Sequence, residues 1–356
     1  MQSNLFLVVI AGGSGTRFWP KSTSKRPKQL LQFGATEETK ETLLGQTLAR
    51  FKKLVPEENQ FIVTTRSLES AVTAENLKAT VLAEPQGRNT APCIYWAAQV
   101  VAQKNPKGIM LVMPADHYIA APEKLVATIK QAAEWASHED DLITLAIKPS
   151  RPETGYGYLK ISNEGLKSGH PPGLKKVEAF VEKPNPEKAA EFLRLGNYFW
   201  NGGMFVWRAE VILKAFDQFM PEMRKAWQET HGEIEAAYPK MTATSIDYGI
   251  MEKAGNVVTF PLDCGWDDLG SWLSLESLAD SLGIRVNSNV VNEGEVLSVD
   301  SSGNIVDAKD SYIALLGVQD LIVAQQGKTL LIANKDRAQD LRKIVEETKK
   351  RRPELI

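Results

Sequence analysis

The sequence is poor in cysteine and in net charge, and it has no long apolar run. Two cysteines, Cys93 and Cys264, in 356 residues are too few and too far apart for a disulfide framework or a zinc site, and they suit a reducing compartment. A net charge of −2 with a pI near 6.2 supplies no global positive field for nucleic acid or an anionic membrane, so any polyanion must be held by a local cluster. No stretch reaches the roughly 18 uninterrupted apolar residues of a spanning helix. The first apolar run, residues 5–11, has no basic flank before it and enters glycines, so it reads as neither signal peptide nor span. What remains is a cytoplasmic enzyme or binding protein with no nucleic-acid or membrane partner. Its 43% hydrophobic and 24% charged residues are the balance of a globular chain, long enough for two or three domains.

Residues 5–10, 60–64, 80–83, 109–113 and 142–147 read as strands, and 43–54, 68–77, 91–104 and 121–137 as helices. Strands apolar on both faces with helices between them predict a doubly wound, mostly parallel (Rossmann-like) mixed α/β sheet. From Gly155 the rhythm loosens, with longer strands at 155–161, 174–181 and 204–208 and helices at 186–195 and 209–219. Residues 163–176, with three glycines and two adjacent prolines, form a surface loop. Beyond about residue 284 come short β runs and a final helix at 335–351, a small β-rich C-terminal appendage without a repeat strong enough to name a solenoid. The expected domains are therefore 1–283 and 284–356.

The most informative segment follows the first strand: Ala11-Gly12-Gly13-Ser14-Gly15-Thr16-Arg17. Glycines let the main chain approach a ligand, and successive amide N–H groups form an anion-binding concavity. The dinucleotide fingerprint fails, because Phe18 stands where its third glycine belongs, and the Gly-Lys-Ser/Thr end of a phosphate loop is absent. Basic residues follow at Lys21, Lys25, Arg26 and Lys28; alone they are a solvated loop, beside an amide nest they make a triphosphate clamp. Asp116 emerges at the carboxyl end of a buried strand, where open α/β sheets place ligands, and a carboxylate there suits Mg²⁺, or else caps a turn. Asp267 and Asp268 sit between glycines and tryptophans, as a second metal carboxylate or an exposed turn. His117 reads as a packing or hydrogen-bonding neighbour, and His138, His170 and His231 carry no role.

Six segments in order resemble one family. They are Gly12-Gly13-Ser14-Gly15-Thr16-Arg17 with Pro27-Lys28, the Glu84–Pro92 loop, Pro114-Ala115-Asp116-His117, Phe180-Val181-Glu182-Lys183-Pro184, Trp200-Asn201-Gly202-Gly203-Met204-Phe205 and Trp266-Asp267-Asp268-Leu269-Gly270-Ser271. The sequence resembles the mannose-1-phosphate guanylyltransferases, within the sugar-phosphate nucleotidylyltransferases, over roughly residues 5–280. The resemblance implies transfer of GMP from GTP to mannose 1-phosphate. It assigns GTP to Ala11, Gly12, Gly13, Ser14, Gly15, Thr16, Glu84, Pro85, Gly87, Arg88 and Asn89, with Arg17 and Lys28 on the phosphates. Gly155, Glu182, Lys183 and Asn201 fall to the sugar phosphate, and Asp116 and Asp268 to Mg²⁺, while Asp267 lies where the family varies. A homodimer is an assembly the resemblance leaves open.

Arg26 departs from the aromatic residue that many relatives carry before Pro-Lys. Many bacterial relatives also continue into a phosphomannose isomerase domain; with the chain ending at Ile356, no isomerase activity is expected. The implied reaction explains the lack of a catalytic serine or histidine, since a phosphate monoester with a second pKa of about 6 is already a nucleophilic dianion at neutral pH. A guanine edge could donate to a carboxylate such as Glu84. The rival readings are a relative using another hexose 1-phosphate or nucleotide, a nicotinamide-dependent oxidoreductase, which Phe18 argues against, and a non-catalytic sugar-nucleotide sensor.

Overall fold

Leu5–Ile10 contains no polar residue, and it forms a strand buried on both faces in the interior of a sheet. The computed structural model describes residues 4–13, 15–34, 41–166 and 169–356, so Ser14 lies outside the described residues. Internal contacts divide the chain into two units: Met1–Gly12, Thr47–Ala115 and Ala121–Trp266 form the first, and Gly13–Gln46, Asp116–Ala120 and Asp267–Ile356 the second.

The first unit holds strands β1 (Leu5–Ile10), β2 (Gln60–Thr65), β3 (Thr80–Glu84), β4 (Ile109–Pro114), β5 (Leu142–Ile147), β6 (Tyr158–Ser162), β7 (Lys175–Val181), β8 (Tyr198–Arg208) and β9 (Val257–Leu262). They lie in the order β3-β2-β1-β4-β8-β5-β9-β7-β6, with β8 also pairing β6. The sheet is mixed, as expected, but the expected parallel majority is corrected: among the described residues four pairings are parallel and five antiparallel. Three of the five antiparallel pairings involve β8. The expected strand begins at Met204. Instead the chain stays extended from Tyr198, and this strand runs antiparallel to β4, β5 and β6. Helices Thr90–Lys104 and Ala209–Phe219 pack with β4 and β8 in a core that includes Trp207, Tyr95, Phe216 and Tyr238, where the Tyr95 and Phe216 rings meet edge-on at 5.1 Å.

In the second unit, β10 (Arg285–Val286), β11 (Asn289–Val299), β12 (Ile305–Leu316), β13 (Leu321–Gln326) and β14 (Thr329–Asn334) form one sheet. The pairs β11–β12 and β12–β13 are parallel, so Val290, Ile305 and Ile322 stack in register. Unequal steps between these stacked residues, with register shifts around Glu293, hide this short coil from a search for a fixed period. Buried Asn304 ties its layers: it donates to Asn289 Oδ1 (2.9 Å) and accepts from the Leu321 amide (2.9 Å). Phe18, Trp19, Leu31 and Phe33 pack with Trp272, Leu275, Val290, Ile305, Ile322 and Leu341. Phe18 lies 4.7 Å from Phe33 and 5.1 Å from Trp272 between ring centroids. A cut at 283/284 therefore runs through a shared core. Among the described residues no helix is long and apolar enough to cross a membrane.

Candidate active site

In the second unit, Gly15 has φ +46, and a Cβ there would come within 2.6 Å of the Lys28 backbone nitrogen. Only glycine both adopts that conformation without penalty and admits the approach. Pro27 leads into a short turn, Lys28–Leu30, which buries the Lys28 side chain. The Lys28 ammonium sits 2.7 Å from Asp116 Oδ2 and donates to the Leu269 carbonyl at 3.2 Å and to the Asp268 carbonyl. Gln29 Nε2 donates to the Gly13 carbonyl at 3.0 Å, and Arg17 reaches the Gly270 carbonyl at 3.5 Å. Burial pushes the Asp116 pKa up, but Lys28 and His117 outweigh it and hold the carboxyl below its ordinary value.

The two adjacent aspartates behave differently. Asp267 is buried and its Oδ1 accepts from the Leu269 amide at 2.7 Å, a structural turn contact. Leu269, at φ +48, then turns the chain. Asp268 is half-buried with its carbonyl on Lys28. Thus Arg17, Lys28, Asp116 and Asp268 share one unit, and Lys28 joins the Asp116 carboxylate to the Asp268 carbonyl. Two carboxylates with oxygen donors fit Mg²⁺, which takes one or two protein carboxylates and completes its shell with water and phosphate oxygens.

The first unit carries the other candidates. Glu84 ends β3 with 3% exposure and accepts a hydrogen bond from the Tyr238 hydroxyl. Its Oε2 lies beside Gly12, where a Cβ would approach to 3.1 Å. Burial pushes the Glu84 pKa up to about 7, the Tyr238 hydroxyl opposing. Arg88 donates to the Met241 carbonyl at 2.7 Å. Asn89 caps helix Thr90–Lys104 through its side chain, at φ +66 and ψ −168, a backbone region occupied essentially by glycine alone.

Lys183, at φ +45, is another non-glycine residue held at positive φ, and its exposed ammonium pairs with Glu182. The Glu182 hydrogen bond raises the Lys183 pKa against a smaller desolvation effect. Asn201 Oδ1 accepts from Thr144 Oγ1 (2.9 Å) and the Gly203 amide (3.4 Å), while its Nδ2 donates to Asp247 Oδ1 (2.9 Å). Burial, reinforced by the Glu182 charge and opposed by Asn201, pushes Asp247 up to about 6. The Gly155 amide donates to Glu153 Oε1 at 2.9 Å, and the Asn201 amide to the Gly157 carbonyl at 2.8 Å. Tyr238 and Asp247 escape sequence reading because an isolated tyrosine, or an aspartate after Thr242-Ala243-Thr244-Ser245, carries no chemical pattern.

Residues 7–283 match the nucleotidyl transferase family, and residues 294–348 match the MannoseP isomerase/GMP-like beta-helix domain. A mannose-1-phosphate guanylyltransferase of Escherichia coli is 32% identical over 97% of this chain and 76% of its own length. The chain belongs to the mannose-1-phosphate guanylyltransferase family. An alginate biosynthesis protein of Pseudomonas aeruginosa is 32% identical over 96% of this chain and 71% of its own. A crystal structure titled mannose-1-phosphate geranyltransferase, from Thermus thermophilus, superposes with a TM-score of 0.86 at 33% identity, covering 97% of this chain and 99% of that one. For this guanylyltransferase-family chain the two matched segments leave 284–293 between them, while its contacts join the C-terminal coil to Gly13–Gln46.

Proposed function

We propose that this protein transfers GMP from GTP to mannose 1-phosphate, releasing pyrophosphate, and that the residues above divide the work. The obstacle is electrostatic. About four negative charges on GTP and about two on the sugar phosphate must be brought together, so catalysis is positioning and charge compensation. No general base is needed, since the attacking phosphate is already ionised. Arg17, Lys28 and the amides of residues 11–16 would hold the triphosphate, with Glu84, Pro85, Gly87, Arg88 and Asn89 bordering the base. Lys183 would hold the sugar phosphate, and Gly155, Glu182 and Asn201 the sugar.

Asp116 and Asp268 would hold Mg²⁺, which supplies positive charge against the phosphate oxygens when bound. The supporting observation is the Lys28 ammonium shared by Asp116 and the Asp268 and Leu269 carbonyls, a fixed cation between two acidic residues. Two buried free thiols, Cys93 and Cys264, support a reducing compartment, and the cytoplasm is the proposed location. The test is pyrophosphate release from GTP and mannose 1-phosphate, with and without Mg²⁺, in the wild type, Asp116→Asn and Lys183→Ala. Loss of turnover in both variants is expected; full turnover in both would remove the site assignment.

A further inference from the structure

The stretch from Met241 to Asp247 belongs to none of the six motifs, yet it fastens two of them within the first unit. Arg88 donates to the Met241 carbonyl (2.7 Å), the Ala91 amide to the Thr244 carbonyl (3.0 Å), the Ile246 amide to Thr90 Oγ1 (2.9 Å), and Asn201 Nδ2 to Asp247 Oδ1 (2.9 Å). It leads into a π-turn, Asp247–Met251, a widened helical turn found frequently at functional sites.

The Asn201 amide is fixed by these contacts. Its oxygen is taken by Thr144 and Gly203, and one of its two N–H bonds goes to Asp247. The second N–H then lies beside a carboxylate, which has about four lone-pair sites in all. A hydroxyl group both accepts and donates, so a single sugar O–H can take the Asn201 N–H and give its proton to Asp247. A fully ionised phosphate has no proton for the second half. Asp247 is half-buried, and the charged groups acting on it from neighbouring segments are Glu182 and Glu252, with Lys183 interacting as well.

We propose that Asp247 is a sugar-recognising residue: it locks the Asn201 amide in orientation and accepts a hydrogen bond from one hydroxyl of the hexose 1-phosphate. The proposal rests on the reading that Glu182, Lys183 and Asn201 hold the sugar phosphate. The experiment measures binding of mannose 1-phosphate and its monodeoxy analogues by calorimetry, and KM for both substrates, in the wild type, Asp247→Asn, Asp247→Ser and Lys183→Ala. Asp247→Asn is expected to weaken mannose 1-phosphate about 10- to 100-fold while KM for GTP stays unchanged. One deoxy analogue, penalised on the wild type, should bind the wild type and the variant alike, because hydroxyl and acceptor are one interaction. Asp247→Ser gives the same reading should the amide variant not fold. Wild-type affinity in both Asp247 variants with weakened binding in Lys183→Ala overturns the role of Asp247 alone. A loss in Asp247→Asn that is equal for GTP, mannose 1-phosphate and every analogue marks a structural residue and overturns it as well. Unchanged binding in Lys183→Ala overturns the underlying reading, and this proposal with it.

Discussion

Lys28 and Asp116 form an ion pair at 2.7 Å in which the ammonium is almost wholly buried and the carboxylate about one-third exposed. The same ammonium also holds two backbone carbonyls after Trp266, so its removal leaves three acceptors without their cation. Lys28→Met should lower turnover by about 10²–10³-fold. It should also return the Asp116 pKa toward the ordinary range. The lowered folded pKa of Asp116 gives stability that is present above its unfolded value and lost as the pH falls through the folded value. Urea titrations below neutral pH should show this acid loss in the wild type and a smaller one in the variant.

Glu84 has the opposite sign. Its folded pKa of about 7 stands above the ordinary 4.5, so between those values the folded chain keeps a proton that the unfolded chain has released. Stability from this group therefore falls as pH rises across that window, by about 3 kcal/mol in all. Glu84→Gln should flatten this slope in denaturation at pH 5 and pH 8. Tyr238→Phe removes the hydrogen bond that lowers the Glu84 pKa and should move the slope to higher pH. If Glu84 also selects guanine, Glu84→Gln loses preference for GTP over other nucleoside triphosphates, and an unchanged preference would sink that role.

Lys183→Ala should reduce kcat/KM for mannose 1-phosphate by about 10²-fold or more and leave GTP affinity intact. Because Lys183 has φ +45, Lys183→Gly relieves backbone strain as it deletes the charge. The glycine variant should be the more stable of the two in thermal melts, yet equally inactive.

In the C-terminal coil, Asn304→Ala should cost about 1–3 kcal/mol. It takes the acceptor from the Leu321 amide, while the Asn289 side-chain oxygen keeps the Asn304 backbone amide. A fall in melting temperature with kcat retained would show that the ladder acts on stability alone.

Much of this was legible from local chemistry. Leu142–Ile147, Pro186–Leu195 and Ala209–Phe219 coincide with their sequence readings because apolar periodicity and Pro or Gly boundaries are local signals. The candidates Arg17, Lys28, Asp116 and Asp268 share a unit as their motifs suggest, and so do Glu182, Lys183 and Asn201. What stayed hidden depends on distant partners. The extension of β8 back to Tyr198 depends on its pairing with neighbouring strands, and Tyr238 and Asp247 gain meaning only from Glu84 and Asn201. The packing of Phe18 on Trp272 was hidden for the same reason, since Phe18 gives no local sign of it.

A chain cut after residue 283 removes Val290, Ile305, Ile322 and Leu341 from the core around Phe18, Trp19 and Trp272. It should bind apolar dyes and aggregate, whereas a self-sufficient catalytic domain would stay monodisperse in sedimentation.

The same interleaving bears on synthesis. A ribosome makes Phe18, Trp19, Leu31 and Phe33 long before Ile322, Leu341 and Val345, the residues that share their cluster. These early rings wait without shelter while the intervening sheet is translated, prey to other nascent chains. Completion of their refuge waits for helix Leu341–Arg351, more than three hundred residues later in the chain.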